Sequence, residues 1–238
     1  MKKILFPVLL ATACLTACHE DGPTPAEHKT VISSIHTVGK YETLDSLEYN
    51  NKGQLVKHLV FDVEDEELTL NSYSVYTYSS GSIEKKSYSA AGAVLEEVSF
   101  TLGSNGKVSG SGRIEFAYDA NGYLSKSGNV SYTYKDGDLV GDSAGYTYTP
   151  SNVGNPGWWP VDIDNVDAPL YWMGLYGTLP THLLEKWNAT IDGVSYTGNC
   201  EYELEGGRVV SVSKTSIVKT GNTPSISDYY ITIKWMDL

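Results

Sequence analysis

The clearest indication of the fold is the stretch FAYDANGYL, residues 116–124. Phe116 and Tyr118 flank a small residue, as aromatic side chains do on the covered face of a strand. The Asp and Asn residues that follow favour a turn, and Gly122 can adopt the positive φ that a tight hairpin turn requires. Leu124 then resumes the strand on the covered side. The stretch therefore predicts a β-hairpin.

The same pattern recurs along the chain. A glycine is followed two residues later by an aliphatic residue and is preceded, three or four residues earlier, by Tyr or Leu. The units are Tyr49…Gly53-x-Leu55, Tyr78…Gly81-x-Ile83, Tyr88…Gly92-x-Val94, Leu102…Gly106-x-Val108, Tyr118…Gly122-x-Leu124, Tyr134…Gly137-x-Leu139 and Leu204…Gly207-x-Val209. Most successive glycines are too close together for crossover helices. We therefore expect an all-β fold: an antiparallel meander sheet of repeated hairpins, curved or partly sandwiched, in which each aliphatic residue points inward.

Two further features complete the predicted architecture. The acidic run Glu64–Glu67 is expected to form another turn. Residues from about 150 to 180 break the repeat, and the stretch 164–169 supplies N-cap residues and a proline for the first helical turn. These signals predict one short helix over Leu170–Tyr176, with Gly177 as its stop, in an insert near residues 164–176. Its aromatic content indicates that it packs on the sheet.

The N-terminus reads as a lipoprotein leader. A basic start and a short apolar run end in Leu15-Thr16-Ala17-Cys18, which is the pattern of a signal peptide cleaved before a cysteine that carries acyl chains. We expect a signal peptide at 1–17, lipidation of Cys18, a flexible tether at 18–30 and a single β-repeat domain at 31–238. A plain secretory leader with an incidental cysteine is the competing interpretation. The expected location is the outer membrane, anchored by lipid.

Charge and cysteine content exclude several classes of partner. The formal net charge is −12, and it becomes −14 when Lys2 and Lys3 leave with the leader. Such a charge argues against nucleic acid and anionic lipid headgroups as partners. Beyond Cys18 the only cysteine is Cys200, so the processed chain cannot form an internal disulfide. We expect Cys200 to be a small core residue.

The sequence contains few residues that could carry out catalysis. The folded region offers His36, His58 and His182, and no serine or cysteine lies in a nucleophile motif. Histidines on strands are usually packed or simply exposed. We therefore expect a protein that is not an enzyme and has no cofactor.

Three aspartates form the one weak candidate for a metal site. Asp162, Asp164 and Asp167 could present oxygens to Ca²⁺, but the glycine and the distal glutamate of an EF-hand loop are missing. Helix capping and favourable interaction with the helix dipole explain the same residues. We favour capping, so no metal is expected.

An aromatic cluster gives the best candidate for ligand binding. Trp158, Trp159, Tyr171 and Trp172 lie close together in the sequence, with Tyr176 nearby. Aromatic side chains stack on sugar rings, but the rings near the helix could equally form its contact with the sheet. We favour the packing interpretation for the helix residues. The adjacent indoles of Trp158 and Trp159 are hard to bury together, so their loop is the favoured site.

Two functions remain open. The first is a lipid-anchored, non-catalytic surface module or accessory protein that recognises a glycan or a protein. The second is a periplasmic carrier or scaffold that holds an apolar ligand in a cavity between helix and sheet. The membrane is contacted through the acyl chains, nucleic acid is excluded as a partner, and the sequence leaves the oligomeric state open. Cell-surface exposure is favoured over the periplasmic face.

A family resemblance rests on the same residues. The stretch 116–124 resembles the tyrosine–aspartate units of YD-repeat proteins. The order of lipobox, tether, YD-like hairpins, aromatic helix and the segment Cys200–Val209 resembles a family of lipoproteins of unknown function from Gram-negative gut-type anaerobes. Glu20 and Asp21 resemble the acidic export signal of surface-exposed lipoproteins in some of those bacteria. The resemblance implies an all-β domain with no established activity, and it transfers no site residue.

Overall fold

The computed structural model describes residues 30–140, 144–150, 165–191, 193–221 and 223–238. Within those ranges the chain forms seventeen strands and one short helix. The elements are β1 (Thr30–Val38), β2 (Glu42–Tyr49), β3 (Leu55–Glu64), β4 (Glu67–Ser79), β5 (Ser82–Ser89), β6 (Val94–Leu102), β7 (Val108–Ser111), β8 (Ile114–Tyr118), β9 (Leu124–Ser127), β10 (Val130–Ser131), β11 (Thr133–Lys135), β12 (Asp138–Val140), β13 (Ala144–Tyr148), α1 (Ala168–Trp172), β14 (Leu184–Ile191), β15 (Val194–Glu205), β16 (Arg208–Thr220) and β17 (Thr223–Asp237). In the described part of the chain no helix is long and apolar enough to span a membrane.

Fifteen of these strands form one antiparallel sheet. Its order runs from β10 back to β1, continues through β17 and ends at β13, while β11 and β12 form a separate hairpin. β1 pairs with β17 from Thr30↔Asp237 to Val38↔Tyr230. The all-β antiparallel meander predicted from the repeat is confirmed. The pairing of β1 with β17 joins the first and last described strands in one layer.

A meander places alternate turns at opposite ends of its sheet. We call the end where β1 begins the lower end and the end where β1 finishes the upper end. The turns that contain Gly53, Gly81, Gly106, Gly122 and Gly207 lie at the lower end, since each follows a strand that runs downward. The chain therefore enters the sheet at Thr30 beside five of the repeated turns.

The repeat has a direct structural basis. All seven repeat glycines have positive φ, between 69° and 88°, a region that side chains with a Cβ rarely adopt. In six units the aliphatic residue two positions later is at most 4% exposed. These core residues are Leu55, Ile83, Val108, Leu124, Leu139 and Val209. They define the inner face of the sheet, and the opposite side is its outer face.

Val94 is the exception, and its predicted inward orientation is wrong. Its side chain is 55% exposed. The Gly92 turn lies at the upper end, whereas the other main-sheet repeat turns lie at the lower end. A register irregularity between Ser87 and Tyr88 also pairs Val94 with Tyr88, which stacks on Tyr73 with ring centroids 4.9 Å apart. The local pattern is therefore the same, but its place in the meander differs.

Aromatic side chains on five strands donate hydrogen bonds to the main chain of the preceding strand. The hydroxyl of Tyr118 donates to the carbonyl oxygen of Val108 at 2.5 Å. Equivalent bonds, between 2.6 and 2.8 Å, join Tyr49 to Ile32, Tyr148 to Leu139, Tyr202 to Leu184 and the indole N–H of Trp235 to Val209. Each acceptor belongs to a buried aliphatic residue. Tyr49 and Tyr118, two anchor residues of the sequence repeat, thus each donate a hydrogen bond to the carbonyl oxygen of a core residue.

The turn at Gly122 gives a first test of this account. Gly122 has φ +86°, and a Cβ there would lie 2.6 Å from the Lys107 Nζ. We expect Gly122→Ala to lower the free energy of unfolding by about 1–2 kcal/mol, the usual cost of a left-handed conformation. Gly110 has an ordinary φ, and the nearest atom to an added Cβ is 3.5 Å away, so Gly110→Ala is the matched control. Urea denaturation measures both, and equal midpoints would contradict the assignment.

The helix lies near the predicted position but has different bounds. It covers Ala168–Trp172, whereas Leu170–Tyr176 was predicted. It begins earlier because Asp167 is the N-cap, with its side chain accepting from the Leu170 N–H at 3.2 Å. It ends earlier because the chain turns at Gly174, which has φ +77°. Two other predictions are confirmed: the Glu64–Glu67 run is a turn, and Cys200 is buried.

Candidate functional site

The segment after the helix closes the lower end of the sheet. We call residues 173–183 the strap. Its main chain bonds successive hairpins: the Val108 N–H donates to the Leu175 carbonyl at 2.8 Å, and the Thr178 and Thr181 N–H groups donate to the carbonyls of Gly122 and Gly137 at 2.9 and 3.0 Å. Three extended residues span about 10 Å, which is close to two strand spacings of about 4.8 Å. The strap therefore runs across the strands and contacts one turn after another.

Gly177 allows the strap to approach the sheet closely. It is buried, has φ +100°, and a Cβ there would collide with the carbonyl oxygen of Gly122 and the ring of Tyr118. Only glycine satisfies both the conformation and the space. The predicted helix stop is therefore a contact point between the strap and the turn that follows β8.

A buried polar cluster holds the helix against the sheet. The Asp167 carboxylate accepts from the Lys85 ammonium at 2.8 Å and from the Tyr76 hydroxyl at 3.1 Å, besides capping the helix. The Asp167 side chain is 5% exposed and that of Lys85 19%. Burial, and then the nearby Asp167 charge, raise the pKa of Tyr76 far above its ordinary value, so Tyr76 remains a donor. Every member has a partner, which is the arrangement of a structural network.

The structure describes only part of the predicted aromatic site. Trp158 and Trp159 lie outside the described residues, so their role stays a prediction. Tyr171 is 5% exposed and Tyr176 is fully buried, while Trp172 is half-buried against the core. Tyr176 packs edge-to-face on Phe116, with centroids 5.1 Å apart. Tyr171 and Tyr176 thus fill space between helix and sheet and are not open to a ligand in this conformation.

The aspartate candidate for a metal site is divided in the same way. Asp162 and Asp164 lie outside the described residues, and Asp167 caps the helix and pairs with Lys85. Within the described ranges no group of three or more His, Cys, Asp or Glu side chains is placed to hold a metal ion. The capping interpretation accounts for Asp167.

Each of the three histidines in the folded region contacts a carboxylate. His36 pairs with Glu42 at 2.8 Å, His58 with Asp45 at 2.6 Å, and His182 with Asp138 at 2.7 Å. Asp138 also accepts from the His182 backbone N–H at 2.9 Å. These contacts link neighbouring strands, or the strap to the β11–β12 turn.

The remaining thiol does not resemble a nucleophile. Cys200 lies on the inner face of β15 and is 4% exposed. Burial raises the pKa of its thiol above the ordinary value, although Tyr202 and Lys214 act in the opposite direction. A raised pKa keeps the less reactive protonated form. The side chain is therefore a core residue, in keeping with its predicted role.

The upper end carries an exposed apolar surface that sequence reasoning missed. Among the described residues, five large hydrophobic side chains are more than half exposed. They are Tyr41 (73%), Leu68 (53%), Val94 (55%), Leu95 (62%) and Ile226 (60%), and we call them the upper rim. All five lie in or close to turns at the upper end, on strands or turns from β6 to β17. Six strand spacings of about 4.8 Å make this arc about 29 Å long.

Acidic side chains accompany the upper rim. Glu64, Asp65, Glu66 and Glu67 surround the β3–β4 turn beside Leu68, and Glu96 and Glu97 follow Leu95. Where exposed apolar side chains form a contiguous patch, the patch often marks an interaction surface. The one sequence signal was the hydrophobic pair Val94–Leu95 next to acids after the Gly92 turn, and the repeat assigned Val94 to the core.

Comparisons with known proteins describe the fold alone. No protein-family model matches the sequence, and no curated protein matches it. Among solved structures, a porin-like protein from Bacteroides uniformis is similar, with a TM-score of 0.61 and 15% identity over 86% of this chain and 98% of that chain. A porin-like protein from Bacteroides vulgatus aligns over 88% of this chain and 100% of that chain, at 14% identity and a TM-score of 0.37. The first supports the all-β architecture.

Proposed function

We propose that the protein is a lipid-anchored, extracytoplasmic binding module that engages a partner protein, without catalysis, through its upper rim. The observation that carries the proposal is the separation of two surfaces. Thr30, where the predicted tether joins the domain, pairs with Asp237 at the lower end. The five most exposed large apolar side chains of the described residues, those of the upper rim, lie at the opposite end. A domain tethered at its lower end can present the rim away from the membrane.

The chemistry of the rim favours a protein over a glycan. Four of its five members are aliphatic, and Tyr41 is its only aromatic residue. Sugars are recognised mainly by flat aromatic platforms together with polar groups, whereas aliphatic side chains gain free energy by excluding water against another apolar surface. An arc of about 29 Å (six strand spacings) also matches the width of a protein interface.

The carrier hypothesis receives no support from the described interior. Leu170 and Tyr176 are fully buried and Tyr171 nearly so, and these side chains occupy the space between helix and sheet where apolar cargo would lie. The buried thiol of Cys200, whose raised pKa keeps it protonated, is in keeping with a non-catalytic function.

Lipidation of Cys18, which lies outside the described residues, is the prediction that supplies the anchor. Metabolic labelling with a fatty acid should mark the wild-type chain and leave Cys18→Ala unlabelled, because the thioether and the acylated amine both need that residue. Equal labelling of the two proteins, or no labelling of either, would contradict the anchor. Cys14 ends a similar but weaker pattern, Ala11-Thr12-Ala13-Cys14. Cys14→Ala is therefore the control, and it should be labelled normally.

The binding function is tested by native co-purification from cells that express the full chain. The double variant Leu95→Asp/Ile226→Asp charges the rim, and Leu204→Asp/Met236→Asp charges two exposed aliphatic residues at the lower end. We expect a specific protein partner to be lost with the rim variant and kept with the control. Equal retention by both variants would contradict recognition through the rim. Thermal melting of both variants shows whether they remain folded.

A further inference from the structure

A groove lies on the outer face next to the upper rim. Outward side chains of β1, β2 and β17 and the tip of the β3–β4 hairpin enclose a volume of about 320 Å³. Leu44, Val63 and Leu68 provide its apolar lining, and Glu42 and Glu66 contribute carboxylates. Leu68 also belongs to the upper rim, so the groove opens beside the surface assigned to recognition.

The β3–β4 hairpin that lines the groove carries a local irregularity. The ladder shifts register between Val60 and Phe61, and such a bulge bends the hairpin and increases its twist. Asp65 and Glu66 at the tip both have positive φ, 51° and 67°, as in a tight two-residue hairpin turn. Beyond this irregularity, Val63, Glu66 and Leu68 line the same groove as residues of β1, β2 and β17. The turn is predicted from the sequence, but the irregularity is not.

The charges around the groove are mostly negative. Glu42 accepts from His36 at 2.8 Å, while Glu66 is exposed and has no ion-pair partner among the described residues. Glu64, Asp65 and Glu67 stand beside Glu66 on the tip. Lys234 of β17 is the one lysine or arginine of the lining. The mouth of the groove therefore attracts cations and repels anions.

We propose that this groove binds a segment of the partner protein in which an aliphatic side chain is flanked by lysine or arginine. The inference rests on the proposed function and names the chemistry of its partner. The aliphatic side chain would enter between Leu44, Val63 and Leu68, and the flanking cation would pair with Glu66. Charge complementarity selects a cationic segment, because an acidic one would meet Glu66 and the neighbouring carboxylates of the tip with only the Lys234 ammonium to offset them.

Isothermal titration of the purified full chain with a defined probe tests the inference. The probe is the acetylated and amidated peptide glycine-lysine-leucine-lysine-glycine, and the same peptide with glutamate in place of lysine is its counterpart. We expect the lysine peptide to bind and the glutamate peptide not to bind. Glu66→Lys should weaken binding at least tenfold. Glu67→Lys makes the same change of charge at the neighbouring residue, which does not line the groove, and should have a much smaller effect.

Several results would overturn the inference. They are equal binding of the two peptides, equal loss in Glu66→Lys and Glu67→Lys, or no binding of the lysine peptide at millimolar concentration. The titration is done at about 0.15 M salt, where screening over about 8 Å limits long-range effects of charge. If the proposed function holds but the groove does not bind the segment, the rim variant loses the partner and Glu66→Lys keeps it. If the proposed function is wrong, the rim variant still co-purifies with the partner.

Discussion

Replacing Asp167 with alanine is expected to lower the free energy of unfolding by about 3 kcal/mol. The change removes a helix N-cap, which is worth about 1 kcal/mol. It also leaves the hydroxyl of Tyr76, a residue only 3% exposed, without its acceptor, and an unsatisfied buried group costs about 1–3 kcal/mol. Lys85 loses the carboxylate at 2.8 Å and, among the described residues, keeps the ion pair with Glu96 at 3.8 Å. Urea denaturation followed by tryptophan fluorescence measures the difference.

Two controls separate the causes of that loss. Asp167→Asn keeps an oxygen that can cap the helix and accept from Tyr76, so it should lie between wild type and Asp167→Ala. Glu67→Ala removes an exposed acid and should change stability by less than about 0.5 kcal/mol. If Asp167→Ala were as stable as Glu67→Ala, the buried cluster would not be what holds the helix on the sheet.

The second large effect compares the same position in two units of the repeat. Leu55 and Val94 both follow a turn glycine by two residues, but Leu55 is fully buried and Val94 is 55% exposed. Leu55→Ala should cost about 2–5 kcal/mol, as other large-to-small changes in cores do. Val94→Ala should cost less than about 0.5 kcal/mol. Thermal or urea unfolding decides between the structure and the sequence repeat, which assigns both residues to the core.

The sequence predicts the parts of this fold that depend on neighbouring residues. Glycine at positive φ, Asn or Asp before it, and an aliphatic residue after it encode a hairpin within about nine residues. The unit at 116–124 is an example, with Gly122 in the turn and Leu124 in the core. Alternating aromatic residues likewise indicate which face is covered. Such local signals were sufficient for an antiparallel meander.

Features that depend on distant residues left no comparable signal. The pairing of Thr30 with Asp237 joins strands at the two ends of the described chain. The sequence of neither strand indicates that the other is its partner. The strap contacts Gly122 and Gly137 through main-chain groups, which every residue possesses. The groove is lined by residues of five strands and one turn, brought together by the order of the sheet. These features arise from packing of the whole sheet, so the part of the site they form could only be seen in three dimensions.

The helix and the rim show two different limits of local reasoning. Asp167 was recognised as a capping residue, but the contacts with Tyr76 and Lys85 that bury it lie more than eighty residues away in the sequence. Val94 matched the repeat and yet belongs to the rim. A motif specifies a turn, whereas the position of that turn in the meander decides which side chains reach solvent. One member of the upper rim, Val94, was therefore hidden within a motif that predicts core.

Photocrosslinking in living cells tests whether the upper rim contacts a partner while the lower end faces the membrane. Photoreactive benzoylphenylalanine replaces Tyr41 in the upper rim or Asn51 in a lower-end turn of the full chain. We expect a discrete protein adduct from position 41 and none from position 51. Leu95→Asp should reduce the yield of the adduct from position 41. The same adduct from both positions, or no protein adduct from position 41, would contradict this arrangement.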